Sequence, residues 1–187
     1  IVDSLVGSEM CIRDSGEGVK KKRIGEKVWI WNGAFGRPFG TCAELIAVPE
    51  VQACKIDEAV DFGPAACMGI PASTAYYGVL ANGSVKNKTV LISGGAGAVG
   101  FYGIQIAKLS GAEVITTVSS EVKAKVAEDA GADKIINYKN EDVIAEILKF
   151  TKDEGIDRVM EVEFGGNLPI NEKIFQTNGV IAAYGSM

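Results

Sequence analysis

Histidine is absent from all 187 residues. No Ser-His-Asp or Cys-His nucleophile can therefore be assembled within the chain, and a catalytic zinc would lack its commonest nitrogen ligand. Cysteine is sparse and scattered. Cys11, Cys42, Cys54 and Cys67 are spaced too widely for a C-x-x-C redox pair or a local zinc knuckle, and they read as reduced thiols in a reducing compartment. No apolar run approaches the length that spans a bilayer, so the expectation is a cytoplasmic protein of one or two domains without a membrane partner. Positive charge is also in short supply: 19 Lys and Arg face 24 Asp and Glu, a net charge of −5, which argues against a nucleic-acid partner. The basic run Lys20-Lys21-Lys22-Arg23 reads as a solvated turn.

Glycine, by contrast, is plentiful, and its placement carries the strongest signal. The apolar run Thr89-Val90-Leu91-Ile92 leads into Ser93-Gly94-Gly95-Ala96-Gly97-Ala98-Val99-Gly100, and an amphipathic segment follows from Val99 to Leu109. Gly95, Gly97 and Gly100 fit the G-x-G-x-x-G spacing. That spacing permits a tight turn, close approach of the backbone to a pyrophosphate, and packing of the helix on its strand. The helix N-terminus then presents unpaired N–H groups and a positive dipole end to the phosphates. Gly95, Ala96, Gly97, Ala98, Val99 and Gly100 are accordingly expected to bind a dinucleotide.

The residues downstream supply the context that such a loop needs. Glu113 to Val118 is rich in β-branched residues and reads as a second strand. Ser119 or Ser120 caps a helix with Val122, Val126 and Ala130 at four-residue intervals, closed by Gly131. Strands at 134–136, 156–162 and 180–184 follow, with helices through Val143, Ile144, Ile147 and Leu148 and around Pro169 to Phe175 between them. This alternation predicts an α/β fold with a doubly wound parallel Rossmann sheet.

Residues 1–15 have no clear period and no signal-peptide arrangement. They resemble translated adapter or vector sequence and are set aside as a non-native leader; the alternative is a natural flexible tail.

From Arg23 onward the chain resembles the quinone oxidoreductase branch of the medium-chain dehydrogenase/reductase family. Gly25-Glu26-Lys27-Val28 is similar to the family's G-D-R-V turn and strand, and the segment Phe39 to Val48 to its G-[ST]-x-A-E-Y strand. Gly69 to Tyr76 resembles the helix preceding the nucleotide domain. Ala130-Gly131-Ala132-Asp133, Asn137-Tyr138 and Tyr184-Gly185-Ser186 fall in the family's order. The resemblance implies that residues 16–87 are the end of a GroES-like β-barrel segment plus a connecting helix, and that residues 88–187 are a nucleotide domain without its sixth strand. On that reading the chain is a fragment, expected to be poorly soluble or partly folded alone, with a homodimer possible at full length.

Cofactor choice is read at the end of the second strand. An NAD-preferring site usually places a carboxylate there. Here Val118-Ser119-Ser120 occupies the position, with Lys123 and Lys125 following. Serine hydroxyls and a lysine ammonium suit a 2′-phosphate, which favours NADPH. Ser119 and Ser120 also suit a helix cap, and the lysines an ordinary surface. By the resemblance, Ser119, Lys123 and Tyr138 surround the 2′-phosphate and adenine, and Asn167, Gly185 and Ser186 line the nicotinamide side. Thr74 is the one weak catalytic candidate; it serves equally well as a residue bonded back to a helical carbonyl. No metal site is expected. The implied reaction is hydride transfer to a quinone or a conjugated carbonyl, with a catalytically silent NADPH-binding protein as the alternative. Glu161 and Glu163, two apart on a strand, are not read as an acid–base pair.

Overall fold

Short strands make up the first part of the chain. In the computed structural model, which describes residues 2–4 and 9–185, β1 (Val2–Ser4), β2 (Glu9–Ile12), β3 (Lys27–Ile30), β4 (Leu45–Ile46) and β5 (Ala53–Lys55) form an antiparallel sheet in the order β4-β1-β2-β3-β5. Ile12, Val28, Ile30, Ile46 and Ala53 form its small core. Arg23 braces the edge, donating to Glu26 and to the Ala53 carbonyl.

Residues 1–15, set aside as a leader, supply β1 and β2. β2 pairs with β3 in register, Glu9 opposite Trp29 and Cys11 opposite Lys27, and Ile12 is buried. Strands of three and four residues are too short to display a two-residue period, which is why the sequence gives no sign of them.

Two helices follow, α1 (Phe62–Ala66) and α2 (Gly69–Leu80). The chain divides into two compact units, Ile1–Ser73 and Thr74–Met187, and the division falls within α2. The physical reason is burial: Ala75 and Val79 in the second half of α2 are fully covered by the core of the second unit.

In that second unit, strands and helices alternate as β6 (Thr89–Ile92), α3 (Ala98–Leu109), β7 (Glu113–Val118), α4 (Glu121–Asp129), β8 (Lys134–Asn137), α5 (Val143–Phe150), β9 (Ile156–Glu161), α6 (Phe164–Ile174) and β10 (Phe175–Ala183). The sheet is parallel, in the order β10-β9-β6-β7-β8. This is the doubly wound order, with the direction of winding reversing between β6 and β9. β6 is central and buried on both faces. Val90 and Ile92 join one core with Ile104, Val114 and Met160, while Leu91 joins another with Ile115, Ile147 and Val159. Continuous apolar strands of this kind need helices on both faces, and α3 to α6 supply them.

Two boundaries differ from expectation. α6 begins at Phe164, with Pro169 inside it, because the Glu163 side chain accepts from the Gly166 N–H at 3.2 Å and caps a start that Gly165 and Gly166 hide from a propensity argument. β10 begins at Phe175 rather than Val180. Its register shifts between those residues, where Asn178 has φ 68°, and the irregular stretch has no clean alternation.

Candidate functional site

The glycine loop lies at the carboxyl ends of the parallel strands, next to the point where winding reverses. Gly94 adopts φ +70°, which only a residue without a side chain takes up readily, and so turns the chain out of β6. Its N–H donates to Thr117 Oγ1 at 3.2 Å and that of Gly95 to the Thr117 carbonyl at 3.2 Å, binding the loop to β7. A side chain on Gly95 would overlap the Thr116 hydroxyl beneath the loop, and one on Gly100 would lie 2.8 Å from Gly95 Cα. Gly95 and Gly100 therefore allow close packing, and Gly94 makes the turn. Gly97 is the N-cap of α3 and offers no side-chain hydrogen bond, so the N–H groups of the first turn remain open at the loop. Gly100→Ala is expected to cost about 1–3 kcal/mol through overpacking against immobile backbone, measured as a fall in denaturation midpoint with the slope unchanged.

A cleft of about 370 Å³ opens over this turn. It is lined by Gly94, Ala96 to Gly100, Thr117, Val118, Ser119, Lys123, Tyr138, Val162 and Tyr184. Ser120 caps α4, accepting from the Lys123 N–H, which leaves Ser119 for the cleft. Lys123 Nζ donates to Ser119 Oγ at 2.9 Å and has no carboxylate partner among the described residues. Lys125, by contrast, is tied to Glu128 and Asp129 at 2.9 and 3.1 Å on the helix surface. The two lysines thus differ in their surroundings, Lys123 facing the cleft and Lys125 the helix surface.

Burial, and secondarily the charge of Glu161, raise the Tyr184 phenol above the ordinary tyrosine range. A phenol whose pKa is raised on folding stabilises the fold below its unfolded pKa, and that contribution is lost as pH climbs through the folded value. Tyr184→Phe is therefore expected to remove a late step from the alkaline phenolate absorbance titration and to flatten the loss of stability above about pH 10.

A second cavity, about 470 Å³, shares Gly94, Thr117, Tyr138 and Val162 with the first. Its polar wall is centred on Glu161, which is 0% exposed at the end of β9. One carboxylate oxygen accepts from the Glu163 N–H at 2.8 Å and Asn167 Nδ2 at 2.9 Å; the other accepts from Ser93 Oγ and Asn171 Nδ2, both at 3.0 Å. All four donors are neutral, and together they use the carboxylate's acceptor capacity.

Of the residues expected from sequence, Ala96, Gly97, Ala98, Val99, Gly100, Ser119, Lys123 and Tyr138 meet in the first cleft. Gly95 does not line it, because the loop turns its missing side chain down onto Thr116. Asn167 lies in the second cavity. Gly185 lines neither; it passes against the end of β9, where a Cβ would sit 2.6 Å from the Val162 carbonyl oxygen. Ser186 lies outside the described residues. Thr74 is half-buried in α2 and lines neither cavity; the back-bond to a helical carbonyl belongs to Ser73, whose Oγ donates to the Gly69 carbonyl at 2.9 Å. Thr117, Val162, Tyr184 and Glu161 were not anticipated as lining residues. The signal for Glu161 was a carboxylate ending an otherwise buried strand, with Asn167 and Asn171 one helical turn apart beyond it.

Among the described residues no group of three or more Cys, Asp or Glu side chains could hold a metal ion, so these residues do not fit a zinc centre. No helix among them is long and apolar enough to cross a membrane.

Residues 98–186 match the family model described as zinc-binding dehydrogenase. The quinone oxidoreductase of Homo sapiens is 30% identical over 148 residues, 79% of this chain and 45% of that protein. The chain spans about half the length of the curated relatives it matches. Among solved structures, Escherichia coli quinone oxidoreductase complexed with NADPH superposes with a TM-score of 0.82 at 26% identity, covering 97% of this chain and 55% of that one. A 2-haloacrylate reductase superposes at 0.80 with 27% identity, covering 95% and 55%. With the doubly wound sheet and glycine loop already in place, these similarities identify the chain as belonging to the medium-chain dehydrogenase/reductase family, in the likeness of its quinone oxidoreductase branch.

Proposed function

We propose that this chain carries the NADPH-binding part of an oxidoreductase that transfers hydride to a quinone. The observation supporting this most directly is the single cleft that holds both phosphate-binding elements. The open N-terminus of α3 suits the pyrophosphate, and Lys123, held by Ser119, stands at the end of β7 where a 2′-phosphate would lie. When bound, the nicotinamide supplies the hydride; the protein's residues bind it, orient it and exclude water. Glu121 begins α4, but carboxylates are favoured in a first helical turn for reasons unrelated to ligand.

The likeness to quinone oxidoreductases and to a 2-haloacrylate reductase supports an acceptor that is already electrophilic and needs no metal to polarise it. Quinones and conjugated carbonyls both meet that requirement. The similarity to a 2-haloacrylate reductase favours testing the conjugated carbonyl as the second reading.

The test uses the full-length protein. NADPH and NADH are titrated by fluorescence at fixed salt, and NADPH oxidation is then followed with a quinone panel and an enone panel. Selective NADPH binding with quinone turnover is the expected result. Tight binding with no oxidation of NADPH by either panel would make the protein a cofactor-binding module, and selective NADH binding would overturn the phosphate site.

A further inference from the structure

The chemistry of the second cavity differs from that of the first. Its walls are apolar, formed by Leu91, Val143 and Ile170, and its polar side holds the buried Glu161 carboxylate. No cation is among the hydrogen-bond partners of that carboxylate. An anion entering this space would meet an uncompensated negative charge in a poorly solvated setting. The phosphates are thereby confined to the first cleft, beside Lys123 and the α3 N-terminus. What suits the second cavity is an uncharged planar group that brings hydrogen-bond donors.

Glu161 also fixes which way its asparagines face. Asn171 commits Nδ2 to the carboxylate, and a flip of the amide would set oxygen against oxygen, so Oδ1 is turned away. That Oδ1 has no hydrogen-bond partner, although Asn171 is only 1% exposed and lines the cavity. Buried acceptors left unpaired are uncommon and costly, and this one is matched by an N–H donor. Asn167 is oriented in the same way, with Nδ2 on Glu161 and its amide oxygen as the remaining acceptor.

We propose that Asn171, with Asn167 beside it, makes this dinucleotide site selective for a 6-aminopurine over a 6-oxopurine, and that Glu161 is the positioning residue that fixes their orientation. The proposal rests on the NADPH reading above, and it assigns Asn167 to the purine rather than to the nicotinamide side that the family resemblance implies. The base enters the second cavity past Tyr138, and its exocyclic amine donates to Asn171 Oδ1. A 6-oxo group would place an oxygen against that acceptor. Leaving a buried polar group of the site unpaired typically costs one to two orders of magnitude in affinity.

The test compares NADPH with nicotinamide hypoxanthine dinucleotide phosphate, titrated against the full-length wild-type protein. The expected result is Kd for the hypoxanthine analogue about 10- to 100-fold higher. Asn171→Ser retains a small donor for Glu161, and it is expected to narrow the difference to about twofold, chiefly by weakening NADPH. Equal wild-type affinities for the two dinucleotides would overturn this inference while leaving the NADPH reading intact. Discrimination that persists in a folded Asn171→Ser would also overturn it. Failure of the wild type to bind either dinucleotide would overturn both. The wild-type comparison requires no variant to fold.

Discussion

Lys123→Glu is expected to raise the Kd for NADPH about 100-fold while changing that for NADH less than about threefold. A charge-assisted hydrogen bond to phosphate contributes about 1.5–3 kcal/mol, and reversing the charge adds repulsion; tenfold in affinity corresponds to about 1.4 kcal/mol. The geometry supports assigning that effect to this lysine. Its Nζ lies 2.9 Å from Ser119 Oγ in the cleft, and no carboxylate among the described residues draws it away. The substitution also preserves the helix. Ser120 caps α4 and position 123 is the third helical residue, so a glutamate there completes a Ser-x-x-Glu capping box, which is favourable by itself. A loss of NADPH binding could not then be ascribed to a frayed α4. Lys125→Glu is the matched control. That lysine spends its charge on Glu128 and Asp129, away from the cleft, and its loss is expected to move NADPH affinity less than about twofold at physiological salt. Equal weakening of NADPH and NADH by Lys123→Glu would defeat the assignment.

Sequence revealed the nucleotide unit far more fully than the first unit, and the reasons are physical. The run Glu113 to Val118 coincides with β7 because Val114, Ile115, Thr116 and Val118 are buried on both faces of the strand, and positions of that kind are filled by apolar or β-branched residues. The strand Lys134–Asn137, read from sequence as 134–136, and the helix Ala98–Leu109, read as starting at Val99, were legible on similar grounds, since their burial is set mainly by their own composition. Ser119, Lys123 and Tyr138 were grouped by the family resemblance, and they line one cleft because Ser119 follows β7, Tyr138 follows β8 and Lys123 lies in the first turn of α4 between those strands. The Glu161 network was not legible. Whether Glu161 or Glu163 is the buried one depends on where β9 stops, and the carboxylate is reached from two other places in the fold, by Ser93 at the end of β6 and by Asn167 and Asn171 on α6. Spacing along one strand therefore understated the site. Gly94 and Gly95 illustrate the same limit at finer scale. Both sit in the glycine run, yet one makes the turn and the other packs on Thr116, a division set by the partner strand rather than by the motif.

The largest stability effect is expected far from the cleft. Arg158 lies in the middle of β9 opposite Val90 of β6 and Val180 of β10, and is 1% exposed. Its guanidinium reaches the end of α2, donating to the Val79 carbonyl, to Gly83 at 3.1 Å and to Asn82 at 2.9 Å. Three carbonyls at a helix C-terminus are thereby paired, and the cation stands at the negative end of the helix dipole. Burial nevertheless works against the charge, lowering the Arg158 pKa with partial compensation from Asp157, and Nε has no partner. The net benefit of the residue thus comes from carbonyls that few other side chains could satisfy together. Arg158→Ala removes all of these bonds and leaves a cavity in the sheet, at a cost of about 3–5 kcal/mol, which for a protein of this size lowers Tm by roughly 6–20 °C. Arg158→Lys keeps the charge without the planar fork and is expected to recover less than half of the loss. Arg158→Leu separates volume from bonding. If it restores the wild-type Tm, the guanidinium serves mainly as filler, whereas a loss close to that of Arg158→Ala assigns the stability to the helix-end carbonyls. Cofactor affinity measured well below Tm should remain within about twofold in all three variants, because additivity between separated sites leaves the cleft unchanged.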